Sequence, residues 1–173
     1  SIELCHNAGI RVIIITGDNP ANARHVALHV GIPSEEIGTG DQLVGKTPKQ
    51  IEELVTRISV FARILPEQKL SLIEALKQNG EIVGMTGDGV NDAPALKASH
   101  VGIAMGKHGT DVARESSSLV LLDDNIGSIT DAIRTGRTIY DNIVKAASFI
   151  LSVHVPIAGL AIVPALFGTP MIL

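Results

Sequence analysis

Two loops of this sequence begin with the same tripeptide, and each follows a run of apolar residues. They are Thr16-Gly17-Asp18 and Thr86-Gly87-Asp88. Glycine allows the backbone to approach a ligand closely, and a hydroxyl beside the N–H groups at the start of a helix suits a phosphate. Carboxylates repel a phosphate unless a divalent cation lies between them. The two loops therefore predict a site for a phosphate group and a metal ion.

A longer string surrounds the second tripeptide and runs from Thr86 to Lys97. Within it, Asp88 and Asp92 are four residues apart, one in the loop and the other in the first turn of a predicted helix, so both can reach one ion. Mg²⁺ fits this small ligand set, because it keeps phosphate oxygens and water as its other ligands. A single Gly-Asp-Gly is more often an ordinary turn, but the full string is too specific for that interpretation.

Lys69 is a further candidate, in the first turn of a helix that is predicted to begin at Pro66. A positive charge at this end of a helix opposes the helix dipole. The position weakly indicates an anionic ligand, while the plainer interpretation is an exposed lysine on the helix surface.

The elements that must position these residues form an alternating pattern over residues 1–125. Short β-branched runs alternate with amphipathic stretches, which predicts a Rossmann-like α/β fold with a parallel sheet and crossover helices. Ligands bind such sheets at the carboxyl ends of the strands, where both loops lie. The predicted strands are residues 11–15, 59–62, 81–86, 100–104 and 118–122. The predicted helices are residues 20–30, 48–58, 66–78, 93–98 and 110–115.

The C-terminal part of the chain has a different composition. Residues 146–173 contain no Asp, Glu, Lys or Arg, and a membrane-spanning helix needs roughly 20 mostly apolar residues. We expect a stalk helix over 126–145 that continues as a transmembrane helix over 146–167. A loop and the start of a truncated next span are expected over 168–173. The alternative is a buried core helix, although such helices seldom run so long without a charge.

Basic residues precede this apolar stretch, at Arg134, Arg137 and Lys145. Because basic residues gather on the cytoplasmic side of a span, we expect residues 1–145 to be cytoplasmic and the protein to lie in a membrane. No signal peptide is predicted, since the first ten residues are charged and polar where an apolar core would be needed.

Composition argues against several other classes of protein. The chain has 14 Lys and Arg against 18 Asp and Glu, a net charge of −4. Nucleic acid is therefore not an expected partner, because binding its backbone needs a basic face. Aromatic residues make up only 2% of the chain, too few for base stacking. The one cysteine, Cys5, excludes an internal disulfide and a cysteine-based zinc cluster.

Taken together, three strings resemble the phosphorylation domain of P-type cation-transporting ATPases, which are members of the haloacid dehalogenase-like superfamily. They are Thr16-Gly17-Asp18-Asn19, Phe61-Ala62-Arg63 with Pro66 and Lys69, and Thr86 through Lys97. The resemblance covers essentially the whole chain, including the long helix, which corresponds to the fifth membrane span. It is to the calcium-pump-like branch of the bacterial type-II pumps, and it implies the bacterial plasma membrane as the location.

The resemblance implies a role for each candidate residue. Asp88 resembles the Mg²⁺ ligand, and Asp92 the carboxylate that orients the metal site and the nucleophile. Asn91 and Lys69 resemble the groups that hold the transferred phosphoryl oxygens, with Lys69 offsetting the developing charge. Thr16, Gly17 and Asp18 resemble the loop that contacts phosphate and nucleotide, and Arg63 resembles another ATP contact. The implied activity is ATP hydrolysis through an aspartyl phosphate, coupled to movement of a cation across the lipid bilayer, with Mg²⁺ as cofactor.

One departure from the family concerns the nucleophile. In the family it is the aspartate of an Asp-Lys-Thr-Gly-Thr string, and no such string occurs here. We therefore expect a C-terminal-side fragment of a longer pump, inactive alone and dependent on the missing segments of the same protein. We also expect the sheet to lack its nucleophile-bearing strand, which leaves an edge or gap exposed.

A second departure concerns the transported cation. Where calcium pumps carry an Asn and a Glu in the fifth span, this sequence has His154 and Ile157. An isoleucine cannot coordinate a cation, and imidazole is a poor calcium ligand, so the identity of the cation stays open. His154 is either a packed residue between helices or part of the ion path, because ionisable groups inside a membrane are functional candidates.

Two other functions remain as alternatives. A soluble haloacid dehalogenase-type phosphatase carries a similar Gly-Asp loop and a lysine, but the uncharged tail argues against it. A non-catalytic remnant that binds Mg²⁺ or a nucleotide is the other, and it describes best what the chain can do on its own.

Overall fold

The computed structural model describes residues 2–167, which divide into an α/β unit that ends at Ser128 and a helical unit that begins at Ile129. The helices are α1 (Ile2–Asn7), α2 (Pro20–Val30), α3 (Gly40–Leu43), α4 (Pro48–Arg57), α5 (Pro66–Gln78), α6 (Ala93–Ala98), α7 (Asp111–Glu115) and α8 (Ile126–Phe167). The strands are β1 (Ile14–Ile15), β2 (Gly38–Thr39), β3 (Val60–Ala62), β4 (Gly84–Gly87), β5 (Val101–Met105) and β6 (Leu119–Leu121).

All strand pairs in the described chain are parallel, which confirms the predicted fold class. The strands form two three-stranded sheets, in the orders β1-β3-β2 and β4-β5-β6, rather than one. Ile15 lies opposite Phe61 in the first sheet, and Thr86 lies opposite Ile103 in the second. Within the described residues, β1 pairs only with β3 and β4 only with β5, so each of these two strands has one open edge there.

One apolar core connects the two sheets. It contains Phe61 of β3 and Met85 of β4, together with Leu72 of α5 and Leu96 of α6. Phe61, Leu72 and Leu96 are almost completely inaccessible to solvent. Because both sheets pack on the same core, the open edges of β1 and β4 belong to one folded unit.

Two helices begin as their sequences predict. The Asn19 side chain accepts a hydrogen bond from the Asn22 N–H at 2.9 Å, and Pro20 takes the first helical position of α2. The Thr47 hydroxyl accepts one from the Gln50 N–H at 3.4 Å before α4. A short polar side chain followed by proline satisfies the free N–H groups at a helix start, so these boundaries follow from local chemistry.

Other boundaries differ from those predicted. The strand predicted over 11–15 is paired only at Ile14–Ile15, because its partner β3 begins at Val60, which lies opposite Ile14. The elements α1, β2 and α3 were not predicted. β2 consists of Gly38 and Thr39 and has no apolar run to reveal it; it forms because it pairs with β3.

The predicted continuity of the C-terminal helix is confirmed, since α8 runs unbroken through Pro156. Among the described residues, it is the one helix that is long and apolar enough to cross a membrane, over Ile126–Leu160. The Ser148 and Ser152 hydroxyls each donate to the carbonyl four residues earlier, at 2.8 Å. The division into a stalk over 126–145 and a span over 146–167 stays a prediction, and residues 168–173 lie outside the described chain.

Candidate functional site

Lys69 and Asp92 form the centre of the candidate site. The Lys69 Nζ donates to Asp92 Oδ1 at 2.6 Å, and the two side chains are only 16% and 11% exposed. Lys69 lies in the first turn of α5, which follows shortly after β3, and Asp92 ends the 3₁₀ turn Val90–Asp92 that follows β4. The ammonium has three N–H donors, so two remain for an anion beside the carboxylate.

Gly87 makes this pair possible. A Cβ atom on Gly87 would lie 2.7 Å from the Cβ of Asp92 and 3.1 Å from its Oδ2. Because real Cβ atoms do not approach so closely, a larger residue would displace the Asp92 carboxylate. Position 87, in the second tripeptide, therefore requires glycine for a steric reason that the sequence alone does not reveal.

Asp88 lies beside this pair in sequence and has an exposed side chain. Its backbone carbonyl accepts a hydrogen bond from the Thr110 N–H at 2.8 Å, which ties the loop after β4 to the loop after β5. Asn91 is also exposed, in the same 3₁₀ turn as Asp92. The structure therefore groups the predicted residues Lys69, Asp88, Asn91 and Asp92 around the end of β4.

Two carboxylates, those of Asp88 and Asp92, make up the predicted set of metal ligands. The described residues contain no group of three or more His, Cys, Asp or Glu side chains that could hold a metal. Mg²⁺ commonly binds through one or two carboxylates and completes its shell with phosphate oxygens and water. An exposed carboxylate at Asp88, four residues before the buried carboxylate of Asp92, fits that partial ligand set.

The loop after β1 is built differently. The Thr16 hydroxyl accepts the Asp18 N–H at 3.1 Å. Backbone bonds join this loop to the end of β3, from the Arg63 N–H to the Asp18 carbonyl at 2.8 Å and from the Ile64 N–H to the Thr16 carbonyl at 3.0 Å. The side chains of Asp18 and Arg63 are exposed to solvent, and so is Gly17. In the described chain, hydrogen bonds link this loop to the β3 end and not to the β4 loop.

Arg63 has a backbone conformation that side chains rarely adopt, with φ +52°. Left-handed geometry at a residue other than Gly, Asn or Asp costs free energy and often marks a functional position. Its carbonyl lies where a Cβ atom on Gly40 would be, so Gly40 is required by the same turn. The sequence contains no signal for this strain.

His154 lies on the exposed surface of α8, and its Nδ1 is 2.8 Å from the Ile150 carbonyl oxygen, to which it donates as an N–H. Its ring thus bonds to its own helix. Ile157 is 54% exposed on the same helix. The role of His154 in an ion path stays a hypothesis.

One feature that the sequence analysis missed is a carboxylate bound by backbone N–H groups. Asp124 accepts bonds from the N–H groups of Gly106, Lys107 and His108, at 2.6, 3.0 and 3.0 Å. Burial raises the pKa of this carboxyl, but these bonds and the one from the His108 ring outweigh it and lower the pKa to about 2. The Gly-Lys-His-Gly string after β5 was the available signal.

Comparison with known proteins gives consistent matches. The family model described as haloacid dehalogenase-like hydrolase matches residues 1–100. The cation-transporting ATPase pma1 of Synechocystis is 50% identical over 157 residues, which cover 89% of this chain and 17% of that protein. The calcium-transporting ATPase of Bacillus subtilis is 45% identical over 157 residues, covering 90% and 18%. The probable cation-transporting ATPase F of Mycobacterium tuberculosis is 41% identical over 172 residues, covering 96% and 19%.

Solved structures agree with these sequence matches. The crystal structure of a zinc-transporting PIB-type ATPase superposes with a TM-score of 0.64 at 31% identity, covering 83% of this chain and 19% of that one. The catalytic domain of the CPx-ATPase CopB-B superposes with a TM-score of 0.59 at 30% identity, covering 76% and 42%. The chain spans less than a fifth of the length of the curated relatives described above.

Proposed function

Because this chain belongs to the haloacid dehalogenase-like hydrolase family, we propose that it forms the phosphate- and Mg²⁺-facing part of the ATP-hydrolysing site in a membrane cation pump. The observation that carries the proposal is the Lys69–Asp92 pair, held at 2.6 Å in a largely buried position at the end of β4. The relatives at 41–50% identity, all named as cation- or calcium-transporting ATPases, support it.

The Lys69 ammonium has the central role in this proposal. Asp92 fixes its position, so the free N–H donors are oriented before a phosphoryl group arrives. Preorganised charge of this kind stabilises the negative charge that develops on the transferred oxygens. The Asn91 amide, on the same turn as Asp92, is proposed as a second donor to those oxygens.

The nucleotide is proposed to bind across the loop after β1. The Thr16 hydroxyl and the open backbone at Gly17 suit a phosphate, and Asp18 and Arg63 expose polar groups at the same strand ends. Backbone bonds between the β1 and β3 ends hold these residues together. Their assignment as ATP contacts is part of the proposal.

Asp88, with Asp92 beside it, is proposed to hold Mg²⁺. When bound, Mg²⁺ would neutralise part of the negative charge of the phosphate, which the two carboxylates would otherwise repel. Asp92 would then serve both the lysine and the metal site; its side chain is buried, whereas that of Asp88 is exposed.

The nucleophilic aspartate is proposed to come from a part of the pump outside these 173 residues. The open edges of β1 and β4, on a common core, offer a place for a parallel strand that would bring it between the two Thr-Gly-Asp loops. Phosphorylation of this chain alone by ATP is therefore not expected.

The helix α8 is proposed to carry the chain into the bilayer, with the stalk over 126–145, the span over 146–167, and residues 1–145 in the cytoplasm. A bacterial plasma membrane is the proposed location. The exposed apolar surface of α8, which is 0% buried over its most apolar stretch, supports this proposal over a soluble phosphatase. A remnant that binds Mg²⁺ without turnover remains the alternative for the isolated chain.

A titration with Mg²⁺ and orthovanadate, a phosphate mimic, tests the proposal on the chain in detergent. Lys69→Met is expected to weaken vanadate binding by about a hundredfold, as removal of a charge-assisted donor implies, and Asp88→Asn to abolish the Mg²⁺ response. Lys49→Met is the matched control, since Lys49 is an exposed lysine in the first turn of α4. Equal vanadate affinity in the wild type and in both lysine variants would contradict the proposal.

A further inference from the structure

Asp124 lies between β6 and α8, and its carboxylate is enclosed by another part of the chain. Its Oδ1 accepts the N–H groups of Gly106 and Lys107, and its Oδ2 accepts the N–H of His108. The His108 Nδ1 lies 2.6 Å from the same Oδ2. The Asp124 side chain is only 13% exposed, although the His108 ring is 82% exposed.

Three consecutive N–H groups that point to one centre form a concave binding site for an anion. Here the anion is supplied by the chain itself, and Asp124 has a left-handed backbone, with φ +55°, to reach it. Burial raises the pKa of this carboxyl, but the N–H donors lower it to about 2. The carboxylate is therefore charged and bonded at neutral pH.

The loop that Asp124 binds is also fixed from its other side. The Arg114 guanidinium donates to the Gly106 carbonyl at 2.8 Å and to the Gly109 carbonyl at 2.7 Å. The Gly106 N–H additionally donates to the Leu121 carbonyl at 2.8 Å. The 106–109 backbone is thus held at both its N–H and its carbonyl groups.

This fixed loop leads directly to the candidate metal ligand. Thr110 is the next residue, and its N–H donates to the Asp88 carbonyl at 2.8 Å. The Thr110 hydroxyl in turn accepts the Ala113 N–H at 3.2 Å, so Thr110 also caps α7. A displacement of the 106–109 backbone would therefore move the donor that holds Asp88.

The residues on either side of Asp124 bond to residues that follow them in the chain, whereas Asp124 bonds to residues that precede it. Asp123 accepts the Ser128 hydroxyl at 2.9 Å, and Asn125 accepts the Gly127 N–H at 2.8 Å. Both bonds end in the first turn of α8. One tripeptide thus contacts the loop after β5 through its middle residue and the start of α8 through its outer residues.

We propose that Asp124 is a positioning residue: by fixing the 106–109 loop it holds the Thr110 N–H against the Asp88 carbonyl, and so sets Asp88 for Mg²⁺ from the segment that begins α8. The inference rests on the proposed function for the role of Asp88, but the hydrogen-bond link can be measured without Mg²⁺.

The test uses the full chain in detergent, with Asp124→Gly and Asp124→Asn. Glycine accepts the positive φ and removes the carboxylate, whereas asparagine also accepts it and keeps one acceptor oxygen. We expect amide hydrogen exchange at Thr110 to become about tenfold faster in Asp124→Gly, as loss of a charged hydrogen-bond acceptor implies. Mg²⁺ alone, followed by NMR of the Gly87 and Gly89 amides, should bind about tenfold more weakly, with Asp124→Asn between this variant and the wild type.

Asp123→Asn is the control, because the Asp123 carboxylate accepts hydrogen bonds from Asn125 and Ser128 and none from the 106–109 loop. It should leave both the Thr110 exchange rate and the Mg²⁺ affinity unchanged. If Asp124→Gly loosens only the amides of Gly106, Lys107 and His108 and leaves Thr110 and Mg²⁺ binding as in the wild type, the inference is wrong. A wild-type chain that binds no Mg²⁺ would contradict the proposed function instead, and the Thr110 exchange rate would still decide the link.

Discussion

The loops after β1 and β4 begin with the same three residues, Thr16-Gly17-Asp18 and Thr86-Gly87-Asp88, yet their surroundings differ. After β1, backbone bonds to the β3 end satisfy the loop, and its side chains stay exposed. After β4, the glycine packs against Asp92, and that carboxylate is paired with Lys69 in a largely buried position.

This difference shows that the tripeptide alone does not define the chemistry. Both loops present a hydroxyl, a small residue and a carboxylate at a strand end. Only the second is followed by an acidic residue, Asp92, that pairs with a largely buried lysine, Lys69. The first loop is an open surface suited to a polar ligand, and the second is a preorganised charged centre. Matched substitutions in the two loops can test that contrast.

The largest effect is expected from Lys69→Met. It leaves the Asp92 carboxylate largely buried without its cation, and because both side chains keep some exposure we expect a loss of about 2 kcal/mol, below the cost for a fully buried pair. Urea denaturation in detergent, followed by circular dichroism, measures it. Asp18→Asn, in the exposed β1 loop, should change stability by less than about 0.5 kcal/mol, and an equal loss in the two variants would remove the contrast.

The two glycines provide the next test. Gly87→Ala places a Cβ 2.7 Å from that of Asp92, whereas the nearest atom to a Cβ on Gly17 is the Ile64 carbonyl oxygen at 3.8 Å. We expect Gly87→Ala to destabilise the chain by about 1.5 kcal/mol through overpacking, and Gly17→Ala to be close to neutral. The same denaturation experiment decides, and a neutral Gly87→Ala would show that Asp92 can move without cost.

The sequence predicted the parts of this site that depend on local chemistry. Asn19 and Thr47 cap their helices as expected, because the polar residue and the following proline lie next to the N–H groups that they serve. The assignment of Lys69 and Asp92 to a functional site stays a prediction, and their pairing was not predicted, since they lie 23 residues apart.

The missed features depend on partners that are distant in sequence. β2 is two residues long and exists through its pairing with β3. The strain at Arg63 and the enclosure of Asp124 both need a backbone angle that no periodicity reveals. The division into two sheets follows from which strands are neighbours, and strand composition does not encode that.

A smaller effect is expected where the loops meet their helices. Asn19 caps α2, whereas α6, after the second loop, has no side-chain cap. Asn19→Ala should therefore cost about 1 kcal/mol, and Asn91→Ala less than about 0.5 kcal/mol while weakening orthovanadate binding. Thermal denaturation and a vanadate titration together would separate a stability role from a binding role. If Asn91→Ala lowered stability and Asn19→Ala weakened vanadate binding, our interpretation of the two loops would be reversed.

The last prediction concerns the pH dependence of Asp124, a third carboxylate at the strand ends. Its pKa is lowered from 3.8 to about 2 in the folded chain, so the stabilisation is fully present above the unfolded value and is lost as the pH falls from about 4 through about 2. The protection of the Gly106 and His108 amides against hydrogen exchange, relative to the intrinsic exchange rate at each pH, should fall over that interval. Asp124→Asn should remove this acid-dependent step, and its persistence would assign the step to another group.

The left-handed turn at Arg63 has a consequence for how such a protein could be altered. Glycine at this position would relieve roughly 1 kcal/mol of backbone strain, so selection for heat resistance alone would favour it. The same exchange would delete the exposed guanidinium beside the loop after β1, which we propose as an ATP contact. Under that proposal, thermal robustness and ligand recognition compete at a single backbone position.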